Sequence, residues 1–122
     1  MIGYTMVGTA NLDHAKAFYG ELLAELGAKV LLDVGRATFY GTAMGQPMFG
    51  VCLPYDKQAA QPGNGTMIAL PGGSREGVDK LYAKAIALGA SSEGEPGERM
   101  PGFYAGYFRD LDGNKLAFFH MG

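Results

Sequence analysis

The side chains best suited to nucleophilic, acid–base or metal-ligand work are few in this sequence of 122 residues and scattered: two histidines and one cysteine, beside twelve carboxylates. Acid–base or metal chemistry needs such groups gathered within hydrogen-bonding or coordination reach. His14 falls early in a helical pattern, off its apolar stripe, and reads as solvated. Cys52 has no histidine or cation beside it, so it reads as a buried, inert thiol packed beneath the first helix. Asp13 with Glu21, and Glu76 with Asp79, sit near lysines on helical segments and read as solvated faces. The run Glu93, Glu95, Glu98 and Arg99 reads the same way, at most flanking a cavity mouth. What the sequence offers in quantity is aromatic rings and thioethers on strand candidates: Tyr4, Met6, Phe39, Phe49, Met67, Tyr107 and Phe119. Such groups build an apolar cleft in which two hydroxyls, those of Tyr4 and Tyr107, orient a small ligand. Methionine adapts to varied ligands. The competing reading is that Met6, Phe49 and Met67 simply fill the core.

The elements that must carry these residues come in two copies. When Phe18-Tyr19 is aligned with Leu81-Tyr82, the segment from Gly3 falls beside the segment from Thr66. Each copy starts with a short apolar run, Tyr4 to Val7 and Met67 to Leu70. Each then offers a helix-capping side chain, Asn11 or Ser74. Apolar residues at spacings of three and four follow: Leu12, Ala15, Phe18, Tyr19, Leu22, Leu23 and Leu26, then Val78, Leu81, Tyr82, Ala85 and Leu88. Both helices close on Leu-Gly-Ala, with Gly27 and Gly89 suited to the left-handed cap. A strand over Lys29 to Asp33 follows the first. Its counterpart, Ser91 to Gly102, is rich in Gly, Pro and Glu and reads as a loop. Strand candidates Ala37 to Thr42 and Tyr104 to Arg109 come next. The final strands, Met48 to Leu53 and Leu116 to Met121, follow Gly45-Gln46-Pro47-Met48 and Gly113-Asn114-Lys115-Leu116, which align. Asp110-Leu111-Asp112-Gly113 is a hairpin turn. The reading is β-α-β-β-β twice, an α+β single domain over 1–122, with module 1 at about 1–54, a linker at 55–64 and module 2 at about 65–122.

Composition agrees with a folded chain: 48% hydrophobic, 18% charged and a net charge of −2. No basic stripe invites a nucleic-acid backbone, and no apolar run approaches the ~20 residues of a membrane span. A lone cysteine leaves no internal disulfide framework and suits a reducing, cytoplasmic setting.

This order of elements resembles the glyoxalase/bleomycin-resistance/dioxygenase (vicinal oxygen chelate) superfamily. Tyr107-Phe108-Arg109-Asp110-Leu111-Asp112-Gly113-Asn114-Lys115-Leu116 looks like its terminal aromatic-x-Asp-Pro-Asp-Gly-Asn hairpin, with Leu111 where Pro is usual. Asn11-Leu12-Asp13 through Phe18-Tyr19 resembles its helix start, and Gly63 to Ala69 its second-module opening. The resemblance implies two tandem β-α-β-β-β modules forming a curved mixed sheet, and a homodimer.

It also implies one divalent metal held by four side chains. The family's His or Gln on the first strand corresponds to Tyr4, its second-module His to Met67 and its final-strand Glu to Ala117. The internal repeat gives Phe49 as the fourth. None of Phe49, Met67 and Ala117 binds a hard cation, and a lone tyrosine does not retain one. His120, three residues beyond Ala117, has the wrong strand parity to help. The expectation is a glyoxalase-like protein that binds a small neutral or aromatic ligand through Tyr4, Met6, Phe39, Phe49, Met67, Tyr107 and Ala117, with no metal and no cofactor. The alternatives are a metal-dependent lyase or dioxygenase of the same superfamily and a non-catalytic dimeric scaffold.

Overall fold

A computed structural model describes residues 1–122. The chain forms two compact units, Met1–Pro62 and Gly63–Gly122. The first runs β1 (Tyr4–Gly8), α1 (Leu12–Ala24), β2 (Lys29–Asp33), β3 (Ala37–Gly41) and β4 (Met48–Cys52). The second runs β5 (Ile68–Pro71), α2 (Arg75–Ala87), β6 (Ser91–Met100), β7 (Phe103–Arg109) and β8 (Lys115–Met121). Each unit has one four-stranded mixed sheet, in the orders β1-β4-β3-β2 and β5-β8-β7-β6. In both, the first strand pairs parallel with the last and the other pairings are antiparallel. The α+β, β-α-β-β-β reading therefore holds in each unit.

The helices start where their caps say. The Asn11 side chain accepts the His14 N–H at 3.1 Å, and the Ser74 hydroxyl accepts the Gly77 N–H at 2.9 Å, satisfying donors that the first turn leaves unpaired. Each helix lays its apolar stripe on one face of its own sheet: Phe18, Tyr19 and Leu22 from α1, and Val78, Leu81 and Ala85 from α2, are buried. The opposite sheet face, free of the helix, is the open face.

One expected loop is a strand. Ser91 to Met100 pairs antiparallel with β7 in spite of Gly94, Pro96 and Gly97. The register shifts between Ser92 and Gly94, between Gly94 and Gly97, and between Glu98 and Met100. These irregularities absorb residues that a regular ladder would refuse. The segment expected as a linker also differs. Its first part folds back on the first unit, where Ala60 stands 3.3 Å from the position a Cβ on Gly8 would take.

The two final strands are not aligned as the repeat suggests. Register places Tyr4 beside Met48, Thr5 beside Phe49, and Met6 beside Gly50. In the second unit Ala69 lies beside Ala117, and Tyr107 on the other side of it. Residues paired across strands share a face. Counting from Tyr4 and Met67, the equivalent of Ala117 is therefore Gly50, and Phe49 corresponds to Leu116. The cause is one extra residue in the β3–β4 turn. Gly45 and Gly113 both take left-handed backbone, φ 90° and 87°, but β4 begins three residues after its glycine and β8 only two.

Candidate functional site

A one-residue offset moves a side chain through the sheet, and Phe49 is the residue it moves. Expected on the open face, Phe49 instead packs beneath α1, its ring 4.7 Å from that of Tyr19 and only 5% exposed. Cys52 changes sides in the opposite sense. It lies away from α1, in a small apolar cluster with Ala37, Phe39 and, at its edge, Met48. The open face of the first unit thus carries Tyr4 and Met6 from β1, Phe39 from β3, and Met48, Gly50 and Cys52 from β4. The Tyr4 and Phe39 rings meet edge-to-face at 5.3 Å and 85°. Phe39 can lie over β4 because Gly50 has no side chain: a Cβ there would fall 2.6 Å from Phe39 Cε1. Tyr4 and Met6 are exposed, whereas Phe39 is buried.

A cavity of about 400 Å³ opens at one end of this unit. Its walls are the ends of β1 and β4, with Met6 and Cys52, and the folded-back chain, with Asp56, Gln58, Ala60 and Gln61. The Asp56 carboxylate accepts the Gln58 N–H at 2.9 Å, which fixes the turn of that wall. No sequence pattern marks this cavity, since its wall lies in a segment without periodicity.

In the second unit the parity of the final strand is as expected. Tyr107, Ala117 and Phe119 share the open face, with Met67 just before β5 exposed at its edge. His120 lies on the helix side, paired with Tyr104, whose hydroxyl donates to Asp79 of α2 at 2.6 Å. The surroundings of Tyr107 differ from an apolar cleft. The Arg99 guanidinium carbon is 5.3 Å from its ring centroid and the Lys115 Nζ 5.5 Å. Arg109 also points to this face, its Nε donating to Glu93 at 2.9 Å and a terminal nitrogen to the Gly113 carbonyl at 3.0 Å. Two residues along, Phe119 stacks on Phe103 at 6.0 Å. Arg109 and Lys115 were legible in the sequence, because each stands two residues from an open-face residue, Tyr107 or Ala117. Arg99 was hidden in a stretch that reads as loop.

The groups whose acidity is displaced stand apart from these faces. A hydrogen bond to the Asp79 carboxylate, followed by partial desolvation, raises Tyr104. Burial, followed by the charge of Asp33, raises Tyr40, whose hydroxyl donates to the Lys16 carbonyl at 3.2 Å. A hydrogen bond from Lys16 lowers Asp33, and one from Arg75 lowers Glu98. These are fastenings between a helix and its sheet, or between edge residues. The turn Asp110 to Asn114 is likewise structural. The Asp110 carboxylate accepts the N–H groups of Asp112 and Asn114 and the Asn114 amide, each at 2.9 Å.

The glyoxalase/bleomycin resistance protein/dioxygenase superfamily model matches residues 1–118. The chain belongs to that superfamily. A glyoxalase/bleomycin resistance protein from Albidiferax ferrireducens T118 is 34% identical, with TM-score 0.91 over 100% of this chain and 99% of that one. A family member from Burkholderia phytofirmans PsJN is 19% identical, with TM-score 0.78 over 98% of both chains. Lactoylglutathione lyase from Agrobacterium tumefaciens is 22% identical, with TM-score 0.69 over 98% of this chain and 92% of that one. The last two likenesses show the fold alone. No curated protein matches the chain.

Superfamily membership raises the question of a metal, and the donor set answers it in chemical terms. With the corrected register, the four positions hold a phenol (Tyr4), no side chain (Gly50), a thioether (Met67) and a methyl group (Ala117). A hard or borderline cation needs imidazole, carboxylate or amide donors. The residues present do not fit such an ion, and no three His, Cys, Asp or Glu side chains gather elsewhere.

Proposed function

We propose that this superfamily member binds a small, ring-bearing organic molecule on the open faces of its sheets, without a metal held at the four family positions. The observation that carries the reading is the exchange of donors for apolar groups there, Gly50, Met67 and Ala117, beside the ring-rich surfaces of Tyr4 with Phe39 and of Tyr107 with Phe119. Offset and edge-on ring contacts, with adaptable thioethers, recognise flat ligands. Met6, Phe39 and Ala117 contribute the floor of these surfaces. Phe49 has no part in them.

Elemental analysis of gently purified protein tests the metal half of the proposal. Less than one-tenth equivalent of zinc, nickel, manganese or iron is the expected result, and one metal per chain overturns it. A thermal-shift screen of small ring-bearing compounds tests the ligand half. Hits should weaken in Tyr107→Phe or Met67→Ala, and hits indifferent to both place the function elsewhere.

The protein acts, on this reading, as a homodimer in a reducing cytoplasm. Exposed Val30, Leu32 and Val34, on and just after the edge strand β2, support self-association. A light-scattering mass that stays monomeric at high concentration would count against it. No helix is long and apolar enough to cross a membrane.

A further inference from the structure

The open face of the second unit is graded along its length. At one end Phe103 stacks on Phe119; in the middle Ala69, Ala117 and Gly94 leave Tyr107 standing above a low floor; at the other end the charges gather. Arg109 and Lys115 are directly paired across β7 and β8, so two like charges share one face. Such an arrangement destabilises a sheet unless something compensates it. Glu93 does so for Arg109 alone. Arg99 and Lys115 form no ion pair, and both cations lie over Tyr107. Arg99 is held there by donation to the Glu95 carbonyl across the irregular stretch of β6. Only one of its five guanidinium donors is used in this way. Of the three cations, Arg109 is the one paired with a carboxylate.

We propose that Arg99 and Lys115 form a carboxylate-recognition subsite, so that the ligand of this face is a small organic acid with an apolar or aryl body. The proposal rests on the ligand-binding reading above and names the class of molecule. The acid group sits beside Tyr107, between the two cations, and the body runs from Ala117 toward Phe119. Tyr107 is paired directly with Ala117, so at about 3.4 Å per residue Phe119 lies ~7 Å along the strand from the acid group, which suits an aryl group on a two- or three-carbon arm. A neutral molecule of the same shape would bury the same rings and leave both cations without a counter-charge.

The test is an amide NMR titration of the whole protein with 3-phenylpropionate and with its neutral amide. The acid should bind at least tenfold more tightly, with shifts centred on β7 and β8. The preference should shrink as salt is raised. Arg99→Gln and Lys115→Gln should each cost the acid several-fold and leave the amide unchanged. Both residues reach solvent, so the fold survives these substitutions. Equal binding of acid and amide overturns the carboxylate subsite while leaving the ring-binding reading intact, as does a preference that persists in the double variant. Absence of shifts with either compound overturns both.

Discussion

Phe49 decides between two registers of the first unit, and its truncation separates them by magnitude. If β4 followed the glycine-to-glycine alignment, Phe49 would face a ligand, and Phe49→Ala would change binding at little cost in stability. In the structure it is 5% exposed and packs 4.7 Å from Tyr19, beneath α1. Removing a buried phenylalanine ring costs ~3–5 kcal/mol, because its transfer energy is lost and the cavity only partly collapses. That is a large share of the ~5–15 kcal/mol that holds a domain together. For a chain of this length each kcal/mol is worth roughly 4 °C of melting temperature, so a fall of ~12–20 °C is expected. Tyr4 is the control. It is 58% exposed and loses chiefly its edge contact with Phe39, so Tyr4→Ala should cost under ~1.5 kcal/mol. Thermal and urea unfolding followed by circular dichroism give both numbers. If Phe49→Ala proves too unstable to purify, Phe49→Leu should still lose ~1 kcal/mol. A Phe49→Ala protein within ~1 kcal/mol of wild type, or a Tyr4→Ala protein equally damaged, would refute the register and the face assignments built on it.

Three further outcomes follow from particular bonds. The Thr38 hydroxyl is fully buried without a hydrogen-bond partner, so Thr38→Val should leave stability unchanged or raise it by ~1 kcal/mol in urea unfolding; a loss of similar size would reveal a bond to this hydroxyl. Asp110→Ala strands the Asp112 and Asn114 N–H groups and should cost about 3 kcal/mol, with faster hydrogen exchange at Asn114; a neutral effect would show that the turn does not depend on this carboxylate. Acid should weaken the Lys16–Asp33 link: hydrogen bonds from Lys16 and from the Gly35 N–H, and then the Lys16 charge, hold Asp33 below its ordinary 3.8, so its stabilisation is complete above that value and fades as pH falls through the lower folded value. Lys16→Met should remove that part of the acid sensitivity, and identical acid unfolding profiles for the two proteins would contradict it.

Local signals carried most of the elements. Asn11 and Ser74 cap the two helices as their side chains dictate, and β2 begins and ends at Lys29 and Asp33 as the apolar run suggests. Pairing at a distance was not legible. β6 forms because the backbone of β7 offers partners, while its own Gly94, Pro96 and Gly97 read locally as loop. The chain from Pro54 to Gln61 packs against β1 and β4 for reasons no periodicity encodes. On the candidate site, alternation gave Tyr107, Ala117 and Phe119 a common face. It failed for Phe49, because a period of two turns one uncounted turn residue into a complete exchange of faces.

The same offset shows how two copies of one fold came to offer different chemistry. In matched registers Phe39 stands where Tyr107 stands, Gly50 where Ala117 does, and Met48 where Lys115 does. With glycine beneath it, the Phe39 ring settles over β4, so the middle of the first open face is filled by the protein's own side chain. With alanine at the matching place, and with Arg99 and Lys115 attracted to the electron-rich face of a phenol, Tyr107 keeps charge beside it instead. The middle of the first open face therefore offers rings and thioethers, where the second offers Arg99 and Lys115 beside Tyr107. A ligand selected by shape only would be indifferent to Met48→Lys and to Lys115→Met. A ligand selected by its acid group would lose affinity with the second substitution and keep it with the first.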